Sequence, residues 1–128
     1  MKRRLLIVDN DPIIHVSLMG LLSSNDIEIF SVYHPIAALH WLERASVDLI
    51  ICDIGLPKMN GLEFVRQLRQ KNRMMAILFF TGSSVKLSAQ DLVKLNILEV
   101  ISKRNYDVFY FKYRVYHHIF GFYPVSIE

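Results

Sequence analysis

Residues 47–61 read VDLIICDIGLPKMNG, and the architecture of the chain follows from them. Residues 47–52 form a short run rich in β-branched and aliphatic residues, the pattern of a strand covered on both faces of a parallel sheet. Asp53 closes the run. Gly55, Pro57, Asn60 and Gly61 mark a tight loop, and GLEFVRQLRQ then takes up helical spacing. A carboxylate at the C-terminal end of such a strand lies in the crevice where open α/β sheets do their chemistry. An acid held there is costly as a structural choice. Asp53 is therefore read as a reactive group.

The rest of the chain repeats this strand-then-helix pattern. RLLIVD (4–9) and IEIFSVY (27–33) read as strands before it, AILFFTG (76–82) and ILEVISK (97–103) as strands after it. Between them lie helical patterns: PIIHVSLMGLLSS with Pro12 in its first turn, HPIAALHWLERA, GLEFVRQLRQKNR, a segment near SAQDLVKLN, and a long final helix from about Tyr106. Five βα units predict a five-stranded parallel sheet, doubly wound, with helices on both faces. No internal repeat or linker interrupts it.

At 128 residues and 52% hydrophobic composition the chain predicts one domain with a substantial core. Its single cysteine, Cys52, can form no internal disulfide, so a reducing compartment is expected. The opening MKRRLLIVDN imitates a signal peptide, but Asp9 ends its apolar stretch too early. No run approaches membrane-spanning length. A cytoplasmic location is the expectation. The net charge of +3 and pI near 9.1 do not point to nucleic acid, because Lys and Arg are scattered and only Lys2–Arg4 are dense.

In this topology the ends of the first, third, fourth and fifth strands converge. They carry Asp9, Asn10 and Asp11, then Asp53, then Thr81, then Lys103. Clustered oxygens suit a hard cation such as Mg²⁺. A hydroxyl and an ammonium facing the same point suit a phosphoryl group. Asp53 between them has the place of a nucleophile in aspartyl-phosphate chemistry.

These residues carry a resemblance. LLIVDND is similar to the acidic pocket, DIGLPKMNG to the phosphoacceptor loop D-x-x-[LM]-P-x-x-[DN]-G, and FFTG and VISK to the Thr/Ser and Lys strands of bacterial response regulator receiver domains. The resemblance spans residues 1–128 and implies a flavodoxin-like three-layer fold. It also implies phosphorylation of Asp53 by a histidine kinase, a phosphotransfer protein or a small phosphodonor. Mg²⁺ would then be held by Asp9, Asn10, Asp53 and the backbone carbonyl of Gly55, with Thr81 and Lys103 on the phosphoryl oxygens. Such a domain is a signalling switch that catalyses its own phosphorylation and dephosphorylation, not a turnover enzyme. An output domain outside this chain is a further expectation.

Three positions depart from the family pattern. Asn10 stands for a second acid, which predicts weaker Mg²⁺ binding. Val100 stands where many receivers carry an inward-turning Tyr or Phe. Arg104 replaces the common proline after the lysine. These departures favour the rival reading, a degenerate receiver acting as a phosphorylation-independent interaction module. The intact Asp53, Thr81 and Lys103 favour the phosphoacceptor. A small aspartyl-phosphate hydrolase is weaker still, since Gly55 stands where an acid/base partner would be needed.

Other residues read as packing. Cys52 alternates away from Asp53 into the core, Trp41 and Phe64 belong to apolar helix faces, and Asp48 reads as a turn residue. The five histidines show no zinc spacing. The final helix carries two apolar stripes: Val108, Phe111, Val115, Ile119 and Phe122, and Phe109, Tyr113, Tyr116, Phe120 and Tyr123. One stripe is expected on the sheet. The second predicts an exposed aromatic patch, through Phe109, Tyr113, Tyr116 and Phe120, for a homodimer or an output domain.

Overall fold

The computed structural model describes residues 2–83 and 87–121. Five strands and five helices alternate: β1 Arg3–Val8, α1 Pro12–Leu22, β2 Ile27–Val32, α2 Pro35–Leu42, β3 Leu49–Cys52, α3 Gly61–Gln70, β4 Ala76–Thr81, α4 Ala89–Lys94, β5 Ile97–Ser102 and α5 Val108–Phe120. The strands pair in parallel in the order β2-β1-β3-β4-β5. The expected doubly wound α/β sandwich is the observed fold.

Alternation along the central strands divides the core into two. Leu6, Val8, Ile50, Cys52, Ile77 and Phe79 face Ala38, Leu42, Leu62, Phe64, Val65, Leu68 and Leu95, the cover given by α2, α3 and the end of α4. Leu5, Ile7, Leu49, Ile51, Leu78, Phe80 and Ile101 face Leu18, Leu22, Phe111, Val115, Tyr116 and Ile119 from α1 and α5. Each such side chain, fully removed from water, contributes about 1.5–3 kcal/mol. Trp41 is half-buried against the first cluster and Phe64 is wholly inside it.

Register places the chemistry. Val8 pairs with Cys52, so Asp9 and Asp53, one residue on, leave the sheet side by side. Cys52 pairs with Phe79, and Thr81 with Ser102, which puts Lys103 just beyond Thr81. A bulge interrupts the last pairing, where Ile77 meets Ile97 but Leu78 meets Glu99. It resets the alternation of β5, so Ile97 joins the first cluster while Ile101 joins the second.

Element ends differ from the sequence reading for local reasons. The third strand begins at Leu49, not Val47, because Asp48 is engaged sideways. Its carboxylate accepts from Arg4 N at 2.7 Å and its own N–H donates to Arg4 O at 2.8 Å. The final helix begins at Val108 because Asp107 caps it, accepting from Phe109 N at 2.9 Å and Tyr110 N at 3.0 Å.

The two stripes of α5 do not separate as expected. Phe111, Val115 and Ile119 face the sheet, but Tyr116 from the second stripe is buried with them at 3% exposure. Its ring meets Phe120 at 5.5 Å, and Phe120 is itself packed against the core. The outward apolar surface is instead at the start of the helix, where Phe109 is 80% exposed and Val108, Tyr110 and Tyr113 are also open. Tyr116 and Phe120 thus belong to packing and not to a surface patch. Phe122, Tyr123 and the GFYPVSIE end beyond Gly121 lie outside the described residues.

Candidate functional site

Asp53, Asp9 and Thr81 are all buried at the strand ends, among few polar side chains that are. The Thr81 hydroxyl donates to Asp53 Oδ1 at 2.6 Å, and Lys103 Nζ donates to Asp53 Oδ2 at 3.1 Å. Lys103 also pairs with Asp9 Oδ2 at 2.7 Å. The four residues come from four strands and meet at one point. An open cavity of about 450 Å³ lies above them, lined by Asp53, Gly55, Gly82, Ser83, Lys103 and Arg104.

The surrounding backbone holds these groups. Asp53 N donates to Val8 O at 3.0 Å and Lys103 N to Thr81 O at 3.0 Å, extending the sheet past its last paired residues. Asp9 Oδ1 accepts from Asp11 N at 2.9 Å. Asp11 turns away to cap α1, accepting from Ile13 N at 3.0 Å. Gly55 N donates to Asp53 Oδ1 at 3.3 Å, and Ser83 N to Thr81 Oγ1 at 3.1 Å. Asn10 is exposed at the rim.

Electrostatics fit an anion-handling site. Burial pulls the Lys103 ammonium toward deprotonation, but the hydrogen bonds and charges of Asp9 and Asp53 outweigh it and hold its pKa above the ordinary lysine value. Lys103 is therefore charged at neutral pH. Burial, reinforced by the negative charges of Asp53 and Asp9, raises the Cys52 thiol well above its ordinary value. Its S–H donates to Asp53 O at 3.1 Å, and it has no thiolate character with which to act as a nucleophile.

The donor set suits a hard divalent cation. Two carboxylates, Asp9 and Asp53, stand together, and among the described residues no group of three His, Cys, Asp or Glu side chains is placed to hold a metal. Few carboxylates, supplemented by amide or carbonyl oxygens and water, are what Mg²⁺ accepts. The structure brings Asp9 and Asp53 to one point and leaves Asn10 and Gly55 beside it on exposed loop positions.

Two positions that support the site are hidden in sequence. His15 is buried with Nε2 at 2.6 Å from Asp9 O, and since a carbonyl only accepts, Nε2 carries the proton. The signal is a single histidine in the first turn of α1, six residues past Asp9, on a face otherwise made of Leu18 and Leu22. Gly61 sits where a Cβ would lie 2.4 Å from Asp53 O and 2.9 Å from Ile54 Cα. Its hydrogen is what lets α3 start directly against the backbone of the reactive acid. The left-handed residue of this loop is Lys58, at φ 68°, not a glycine.

Beside the site the Val100 position leaves space. A second cavity of about 470 Å³ is lined by Thr81, Gly82, Ser83, Leu87, Leu92, Val100, Ser102 and Arg104. All peptide bonds among the described residues are trans, including that between Lys103 and Arg104.

The family model of the response regulator receiver domain matches residues 5–108. The chain belongs to the response regulator receiver domain family. Among relatives, this receiver is 33% identical over 82 residues to the alkaline phosphatase synthesis transcriptional regulatory protein PhoP of Bacillus subtilis, covering 64% of this chain and 34% of that protein. It is 38% identical over 79 residues to the transcriptional regulatory protein FlgR of Helicobacter pylori, covering 62% of this chain and 20% of that protein. The receiver spans about a third or less of the length of the curated relatives it matches. Among solved structures it is similar to the response regulator protein TrrA of Thermotoga maritima, determined in complex with Mg²⁺ and BeF. The TM-score is 0.78 at 27% identity, covering 91% of this chain and 98% of that one. The chemotaxis response regulator CheY4 of Vibrio cholerae shares the fold at a TM-score of 0.79 and 21% identity, covering 92% and 99%. This receiver is a signalling module of two-component systems. No helix among its described residues is long and apolar enough to cross a membrane.

Proposed function

We propose that this receiver accepts a phosphoryl group on Asp53 from a histidine kinase, a phosphotransfer protein or a small phosphodonor, and catalyses that transfer itself. The observation that carries the reading is the double engagement of the Asp53 carboxylate. The Thr81 hydroxyl is on one oxygen and the Lys103 ammonium on the other, beneath an open cavity.

One carboxylate oxygen of Asp53 attacks phosphorus, and a new O–P bond forms as the P–N bond to a phosphohistidine, or the P–O bond to an acyl donor, breaks. The electron pair leaves with the imidazole or carboxylate. Thr81 and Lys103 already touch the attacking group, so each moves only a short way to a phosphoryl oxygen. Such transfer needs chiefly positioning and charge stabilisation. Asp9, Asn10, Asp53 and the Gly55 carbonyl would hold Mg²⁺, which when bound supplies positive charge to the phosphoryl oxygens. The product acyl phosphate is hydrolysed by water, and the residues two beyond Asp53 and Thr81, Gly55 and Ser83, are both small. Phosphorylation biases a two-state equilibrium that partners read. The exposed rings of Phe109 and Tyr113 on α5 offer a surface to a second copy or an output domain. Such a domain works in the cytoplasm.

Incubation with Mg²⁺ and phosphoramidate, read by intact-protein mass spectrometry, tests the proposal. One phosphoryl group should add to the wild type and none to Asp53→Asn. No gain in the wild type leaves the phosphorylation-independent module as the reading, and an equal gain in the variant removes Asp53 as the acceptor.

A further inference from the structure

We infer that Arg104 is a phosphodonor-binding residue, a second cation that receives the incoming phosphoryl group at the mouth of the site. The inference rests on the reading that Asp53 is the phosphoacceptor, and it adds a recognition element which the motif of acids, threonine and lysine does not contain.

Position comes first. Among the described residues lining the cavity above Asp53, only Lys103 and Arg104 are cationic. Lys103 is committed, bridging Asp9 at 2.7 Å and Asp53 at 3.1 Å from the floor. Arg104 is exposed, and its guanidinium makes no hydrogen bond or ion pair with the described residues; only its backbone N–H is engaged, donating to Ser102 Oγ at 3.1 Å. Its planar fork of donors is therefore available to two oxygens of one phosphoryl group, a geometry that a lysine cannot match.

Charge gives the reason. Asp9 and Asp53 oppose one ammonium, so the site carries one net negative charge, and Asn10 adds none. With a divalent cation bound the sum turns positive, and a phosphodonor, itself an anion, is drawn further by a second cation beside the acids. Arg104 adds one positive charge to the lining of the open cavity above Asp53. A proline at this place has no cation to offer.

Space allows it. Arg104 also lines the neighbouring cavity that passes between Thr81 and Val100. Val100, small and 40% exposed, lines that cavity together with the arginine. The two departures from the family pattern, Val100 and Arg104, are thus one arrangement.

The test is the dependence of phosphorylation rate on phosphoramidate concentration. Arg104→Ala is expected to raise the half-saturating concentration about tenfold, the loss of one charge-assisted hydrogen bond, and Arg104→Lys to recover only part of it. Unchanged half-saturation in Arg104→Ala overturns the inference. A second arm does not need the reaction: phosphoramidate binding to Asp53→Asn, followed by calorimetry, should weaken by a similar factor in Asp53→Asn/Arg104→Ala. Weakening there with no mass gain in the wild type retains Arg104 as an anion site and removes Asp53 as acceptor. Equal binding by both variants discards the arginine whatever Asp53 does. Arg104 is exposed, so these variants keep the fold.

Discussion

Gly61 shows how a single hydrogen atom fixes the position of a reactive acid. The first residue of α3 lies against the carbonyl of Asp53 so closely that a methyl group there would overlap backbone atoms rather than a yielding side chain. Gly61→Ala should therefore cost about 1–3 kcal/mol by forced displacement, seen as a lower midpoint in chemical denaturation, and should slow phosphorylation by shifting Asp53. A stability equal to wild type would mean that α3 can move without cost. In the sequence this glycine looked like a turn former, because tight loops and close approaches use the same letter. The turn itself falls to Lys58, whose left-handed backbone no composition rule singles out. Asp53, Thr81 and Lys103 were readable for the opposite reason. Each is a polar residue ending an apolar run, and register alone then brings them together.

At the scale of elements, β5 and α5 are joined by a small ionic cluster. Glu99 Oε1 accepts from Arg114 Nε at 2.8 Å and lies 2.7 Å from His118 Nε2. Burial works against the Glu99 carboxylate, but the hydrogen bonds from His118 and Arg114 outweigh it and hold its pKa below the ordinary glutamate value. A carboxyl with a lower pKa folded than unfolded stabilises the fold above its unfolded value, and that stabilisation fades as pH falls through the folded one. Glu99→Gln should thus cost about 1 kcal/mol at neutral pH and progressively less in denaturant titrations as the pH falls through the lowered folded-state pKa of Glu99. A cost independent of pH would remove the charge from the account. The same cluster explains why the orientation of α5 was not legible. Both of its stripes are apolar, so hydrophobicity leaves a tie. With Arg114 and His118 turned to Glu99, Tyr116 rolls inward and Phe109 outward. The bulge in β5, which sets where Glu99 points, leaves no mark in the pattern of residues 97–102.

For the molecule as a whole, the layered topology was open to reading because every strand is a short apolar run followed by a helical period, and the order of such units constrains the crossovers. Surface partnership was less so, since it depends on the rotation of one helix. Phe109 and Tyr113 remain outside. If they seat a second copy, light scattering at high concentration should give the mass of a dimer, and Phe109→Ser with Tyr113→Ser should return a monomer while changing stability by less than about 0.5 kcal/mol per exposed site. A monomeric wild type at the highest concentration reached would assign the patch to an output domain instead.

The four residues that meet at Asp53 are supplied by β1, β3, β4 and β5, with Lys103 on the strand added last and at the sheet's edge. During synthesis the acid and its neighbours emerge before the ammonium that pairs with them. A sheet lacking β5 would hold Asp9 and Asp53 side by side without the ammonium that pairs with both. That half-built sheet is opposed by its own charge, so closing it and arming it are a single event.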